Sequence, residues 1–99
     1  MAKKKEEWKL RLPSSNEVFG WVEQLLGSDR LRVQCEDQKV RICRIPGRLR
    51  KKVWIRQGDT VLIKVWKVQS ESRGDVVHKY TPTEASWLRK KGLIKNLPE

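Results

Sequence analysis

Two short alternating runs decide most of what this chain can become. Arg30 to Glu36 and Lys39 to Ile45 each alternate apolar with polar side chains, and only Asp37-Gln38 stands between them. Alternation of period two marks half-buried strands, and so short a gap calls for a tight hairpin turn. A two-residue turn predicts that Glu36 faces Lys39, Cys35 faces Val40, Val33 faces Ile42 and Leu31 faces Arg44. Leu31, Val33, Cys35, Val40 and Ile42 then share the core face. Arg32, Gln34, Glu36, Lys39, Arg41 and Cys43 share the outer one. Cys35 and Cys43 point opposite ways, which argues against a disulfide between them.

The rest of the chain reads as three more strands and two helical pieces. Glu17 to Leu26 is a first strand rich in Val, Phe and Trp. Gly20 in its interior marks a bulge or tight bend, as a small closed barrel requires. Gly27-Ser28-Asp29 is a short hairpin loop. Pro46-Gly47 stops the third strand, and Leu49 and Val53 are then spaced as on one helical face. A helical turn over 48–54 would hang on the barrel by Leu49, Val53 and Ile55 and present Arg48, Lys51 and Lys52. Gln57-Gly58-Asp59 turns into a fourth strand, Thr60 to Val68, with Val61, Ile63 and Val65 inward and Lys64 and Trp66 outward. After a loop over 70–74, Asp75 to Tyr80 is the fifth strand. Thr81 as N-cap, Pro82 at the first helical position and Glu84 closing a capping box start a last helix, which Gly92 ends.

These elements add up to an all-β fold with small α content. The fitting architecture is a five-stranded OB-type barrel over 12–80, with a helical turn between strands 3 and 4. A C-terminal helix over 81–92 packs on the barrel; a mobile basic tail over 1–11 and a loose tail over 93–99 flank it. An SH3-like barrel is the alternative. In an OB-type barrel the second and third strands and the adjoining loops form the oligonucleotide-binding face.

Charge singles out where a partner would bind. Of a net +11, the block 39–67 carries +9, while 12–38 is −3. Self-repulsion of that size favours a polyanionic partner. The charge lies mostly on strand sequence and not on an amphipathic helix, so nucleic acid fits better than a membrane surface. The candidate RNA contacts are Lys39, Arg41, Arg44, Arg48, Arg50, Lys51, Lys52, Arg56, Lys64 and Lys67, with Trp54 and Trp66 beside them for stacking on bases. Trp66 shares its face with Lys64 and is the better stacking candidate; Trp54 divides evenly between stacking and anchoring the helical turn. Trp21 and Trp87 read as packing residues, and His78 as structural.

Several function classes drop out. The chain has no phosphate-cradling glycine loop, no nucleophile–base pair and no Cys/His set for a metal, so neither an enzyme nor a cofactor is expected. No apolar run approaches the ~20 residues that span a bilayer, and the basic start lacks the apolar stretch of a signal peptide. A cytoplasmic monomer is the expectation.

From Arg41 to Ile55 the sequence resembles the translation initiation factor 1A family, the archaeal and eukaryotic counterpart of bacterial initiation factor 1. The resemblance continues at Asn16-Glu-Val-Phe-Gly20, Cys35-Glu-Asp37, Gly58-Asp59 and Asp75-Val-Val-His-Lys-Tyr80, and covers roughly Leu10 to Gly92. Eukaryotic relatives carry a long acidic C-terminal tail; with Glu99 as its last residue, this chain looks archaeal. The turn that is Asp-Gly in relatives is Asp37-Gln38 here. The resemblance implies a factor bound to rRNA in the A site of the small ribosomal subunit. There it would keep tRNA from entering early and act with other initiation factors, indirectly helping to hold initiator tRNA. A general single-strand RNA binder and an integral ribosomal protein remain as rivals.

Overall fold

The computed structural model describes residues 10–98. Five strands, β1 (Glu17–Gly27), β2 (Arg30–Cys35), β3 (Val40–Arg44), β4 (Thr60–Val65) and β5 (Arg73–Lys79), close into a barrel in the order β1-β2-β3-β5-β4. Only β3 and β5 pair in parallel. Helix α1 (Gly47–Arg50), a single turn, crosses between β3 and β4, and helix α2 (Pro82–Lys90) follows β5. The expected OB-type barrel is formed. Residues 1–9 of the basic tail lie outside the described residues, but residues 10 and 11 are not loose. Leu10 packs on the barrel, Arg11 pairs with Glu17 at 2.9 Å, and the Tyr80 hydroxyl donates to the Arg11 carbonyl.

Two glycines make room for side chains of the strands beside them. Gly20 faces Cys35 on one side and Val61 on the other. A Cβ there would stand 2.5 Å from Val33 Cγ1, and one on Gly74 would stand 2.5 Å from Ile63 Cγ2 and 3.1 Å from the Lys64 carbonyl. Both neighbours are β-branched and cannot swing clear. Of the bulge or tight bend expected at Gly20, no bulge forms there; the register shifts of β1 against β2 fall between Val22 and Gln24 and between Leu25 and Gly27. Gly74, expected in a loop, is buried inside β5, which starts at Arg73, while β4 stops at Val65.

The β2–β3 register differs from the expected one by a single residue. Observed partners are Leu31 with Cys43, Val33 with Arg41 and Gln34 with Val40. The loop has three residues, not two: the Cys35 N–H donates to the Lys39 carbonyl, and Gln38 takes a left-handed φ of 69°. That is the three-residue hairpin with one left-handed position, which glycine would satisfy with less strain. A slip of one residue exchanges the faces of β3. Val40 is therefore 51% exposed, while Arg41 is 3% exposed and Cys43 joins the core. Cys35 and Cys43 share the inner face, contrary to expectation, and are free thiols. Burial pushes both thiols up, so they stay protonated and inert at neutral pH.

Burying Arg41 requires a full set of acceptors. Its guanidinium reaches Asp37 through two bonds of 3.1 and 2.9 Å, and its Nε donates to the Ser70 carbonyl at 2.7 Å. The clamp ties the β2–β3 loop to the turn before β5.

Apolar packing falls into two clusters. Inside the barrel, Val22, Leu31, Val33, Cys35, Cys43, Val61, Ile63 and Val76 form the first, with Ile45, Leu49 and Ile55 of the α1 region closing one end. Outside it, Phe19, Leu62 and Tyr80 are covered by Leu88, Ile94 and Leu97. Leu62 is buried in this second cluster while its neighbours Val61 and Ile63 are buried in the first, against the strict alternation expected of β4. It also makes residues 93–98 part of the packing rather than a loose tail. The capping box at Thr81 and Glu84 forms as expected, and the Leu93 N–H returns to the Leu88 carbonyl across Gly92. Arg89 donates to the carbonyls of Leu97 and Pro98. The Glu36 carboxylate takes the backbone N–H groups of Lys95 and Asn96 at 2.8 and 3.1 Å. His78 meets the Tyr80 ring edge-on at 4.6 Å, and burial lowers its pKa, so it stays neutral in a packing role.

Two outcomes test this architecture. Partial burial pushes the Asp37 carboxyl up, but the Arg41 bonds and the Lys39 N–H outweigh it and hold its pKa below the ordinary value. A depressed pKa contributes stability at neutral pH that disappears as pH falls through about 4 and below. Asp37→Asn is expected to cost about 1–3 kcal/mol at pH 7 by denaturant titration, toward the low end because the carboxylate is 38% exposed. It should also flatten the loss of stability between pH 5 and 2, roughly the span over which a paired aspartate titrates. Truncation after Tyr80 uncovers Phe19 and Leu62 and removes three buried side chains worth about 1.5–3 kcal/mol each; a large drop in melting temperature is expected.

Candidate nucleic-acid interface

The strand pairing lines basic side chains up in rows across the outer face. Arg30 on β2 is partnered by Arg44 on β3, Arg44 by Asp75 on β5, and Asp75 by Lys64 on β4. In the next row Arg32 is partnered by Ile42, and Ile42 by Arg73. The Trp66 N–H donates to the Arg73 carbonyl at 3.3 Å and so extends that row past the end of β4. The one-residue slip of β3 matters here. It turns Arg44 outward, where the expected register had it facing the core. Two arginines directly opposite repel each other, and Asp75 only partly answers them.

Asp75 organises the centre of the face. Its Oδ1 takes the Trp66 indole N–H at 3.1 Å and the Arg44 guanidinium at 3.4 Å, and Arg44 lies over the indole ring at 5.8 Å. Trp66, the expected stacking residue, is thus half-buried and held by its N–H and by a cation on its ring.

The barrel end carries the second group. Arg50 pairs with Asp29 in the β1–β2 turn, whose Asp29 carbonyl takes the Ile45 N–H at 2.9 Å. This fixes α1 against the turn that leads into Arg30. Arg48, Lys51 and Lys52 are exposed on α1 and the turn after it. Trp54 is 81% exposed, so its indole does not anchor the helical turn. Its carbonyl is held by Lys79 Nζ at 2.6 Å. Between the two tryptophans, Trp54 is the one with a free ring face for a base.

Not all the candidate cations gather here. Arg41 is withdrawn into its clamp with Asp37, because its parity along β3 is inward. Arg56 sits on the turn before β4, its backbone N–H on Asp59 at 2.7 Å, beside the groove between the barrel and α2. Lys39 is half-buried in the β2–β3 loop, and Lys67 is exposed beyond β4. Arg44, Arg48, Arg50, Lys51, Lys52 and Lys64 remain on the face or its adjoining end. Arg30, Arg32 and Arg73 join them without having been candidates. Charge counted in blocks hid Arg30 and Arg32 inside an acidic stretch and left Arg73 in a loop; the outward parity of β2 was the signal that could have found the first two.

Among the described residues no group of three His, Cys, Asp or Glu side chains is placed to hold a metal ion. Nor is any helix long and apolar enough to cross a membrane.

The chain has relatives among known proteins. The family model described as Translation initiation factor 1A / IF-1 matches residues 5–99. Translation initiation factor 1A of Pyrococcus abyssi is 55% identical over 83 residues, covering 84% of this chain and 74% of the relative. That of Methanopyrus kandleri is 54% identical over 86 residues, covering 87% and 77%. The solution structure of translation initiation factor 1 from the Wolbachia endosymbiont of Brugia malayi superposes with a TM-score of 0.53 at 26% identity, over 86% of this chain and 94% of that one. With its barrel, its basic outer face and these relatives, the chain belongs to the translation initiation factor 1A / IF-1 family, whose members are initiation factors and not enzymes.

Proposed function

We propose that this initiation factor binds the A site of the small ribosomal subunit through rRNA. There it keeps tRNA from entering early and supports initiator tRNA binding together with other initiation factors, acting as a monomer in the cytoplasm. The observation that carries the reading is the continuity of cations from Arg30 and Arg44 on the barrel wall to Arg48, Lys51 and Lys52 at its end, with Trp54 open beside them. Folded RNA offers phosphates spaced over such a surface: its duplexes are recognised mostly through shape, phosphate and 2′-hydroxyl contacts, and unstacked bases of its loops can stack on an open aromatic ring. No bond is made or broken; occupancy is the mechanism. A general single-strand binder is less well supported, since it stacks successive bases on aromatic side chains of the binding strands, and β2 and β3 have none.

Two measurements test the reading. If about six phosphates are neutralised, affinity for isolated small subunits should fall roughly a thousandfold between 50 and 200 mM salt; a flat response would reject rRNA contact. Replacing Arg48, Lys51 and Lys52 together with Ala should reduce the slope of log affinity against log salt by about three and leave the melting temperature unchanged. These three side chains are exposed, whereas Arg50 also holds Asp29. Unchanged subunit binding by this variant would move the site off the barrel end.

A further inference from the structure

Within the outer face lies a small pit. It is lined by Arg30, Arg44 and Arg73, with Trp66, Ile42 and Cys43 completing its walls and floor, and holds about 90 Å³. A water needs about 10–15 Å³ of such space, so the pit is roomy enough for several waters or for a tetrahedral oxyanion. Three arginines line the pit and one carboxylate, Asp75, answers them through an oxygen that accepts from the Trp66 indole and pairs with Arg44 at 3.4 Å. The rim is left with an excess of two positive charges. Cys43 is buried and uncharged, so the floor is apolar and an ion at the rim is poorly screened from below. Guanidinium forks match phosphate oxygens in pairs, which a set of lysines would not.

We propose that this pit is a seat for one phosphate group, occupied on the ribosome by a backbone phosphate of the rRNA. The occupant rests on the rRNA reading above; the seat itself does not. The seat answers the repulsion between Arg30 and Arg44 as direct cross-strand partners. Asp75 holds the Trp66 indole as its wall, which accounts for an aromatic residue on this face being locked instead of free to stack. Arg30 and Arg73 thereby become phosphate-contacting residues of the factor, and Asp75 a positioning residue that aims Arg44 and Trp66.

The test uses the full chain and the Trp66 indole N–H signal in proton–nitrogen NMR, identified by its loss in Trp66→Phe. Titration with inorganic phosphate at constant ionic strength should move that signal saturably. Arg30→Gln/Arg73→Gln should abolish the movement, and Arg48→Gln should keep it. On isolated small subunits the same double variant should lower the salt slope by about one, the value for one phosphate contact. If that variant folds poorly, Arg30→Lys/Arg73→Lys preserves the charge and should bind subunits about tenfold more weakly with the slope unchanged, as expected for losing a charge-assisted bond without losing the ion pair. No saturable shift in the wild-type chain, or a shift that survives in the Gln double variant, overturns the seat. A shift lost in that variant with subunit affinity and slope unchanged overturns RNA as the occupant and identifies a free phosphorylated compound instead. The rRNA reading would still be judged separately by the Arg48, Lys51 and Lys52 variant.

Discussion

The left-handed turn at Gln38 is the constraint on which the rest of this molecule depends. One extra residue in the β2–β3 loop sets every side chain of β3 to the face opposite the one a two-residue turn would give. Because β3 also pairs with β5 and closes the barrel, that parity spreads to the outer rows. Arg41 goes in, and Arg44 comes out beside Arg30 and Asp75. Gln38 lacks glycine's freedom at positive φ, so the loop is held by what surrounds it. The Arg41–Asp37 clamp and its bond to the Ser70 carbonyl supply that hold.

Closure of a five-stranded barrel leaves little interior volume, and the packing shows how the chain copes. Gly20 and Gly74 make room for the inward side chains of the strands beside them, while Leu49 and Ile55 plug one end. The second apolar cluster lies outside the barrel, under α2 and residues 93–98. Helix and terminal segment are thus committed to β1, β4 and the end of β5. The outer face of β2, β3 and the start of β5 is left uncovered, and it is this side that carries the arginine rows. A helix with capping box and glycine stop therefore does more than add stability: it assigns one side of the barrel to packing and leaves another to charge.

Electrostatics divides the cations by what holds them. Arg41, Arg50 and Arg44 are each tied to an aspartate, from a buried bidentate clamp to a partly exposed contact. Arg48, Lys51 and Lys52 stand exposed next to them. A surface of this kind combines fixed geometry in its centre with adaptable cations at its edge, which suits recognition of a folded polyanion whose phosphates are spaced in three dimensions.

The barrel, the capped terminal helix and the concentration of charge are all legible in the order of the amino acids. Alternation, turn residues and cap signals act over a few residues, and each is written locally. The packing roles expected of Trp87 and His78 are also those the fold gives them. The register of β3 is not legible in the sequence, because Asp37-Gln38 does not announce whether the hairpin closes with two loop residues or with three. With that register went the fates of Arg41 and Arg44, the shared face of Cys35 and Cys43, and the exposed Val40. The roles of Arg30 and Arg73 likewise arise from pairing between strands distant in sequence. Local pattern fixes which residues form a strand; which neighbours a side chain meets across the sheet is settled when the barrel closes.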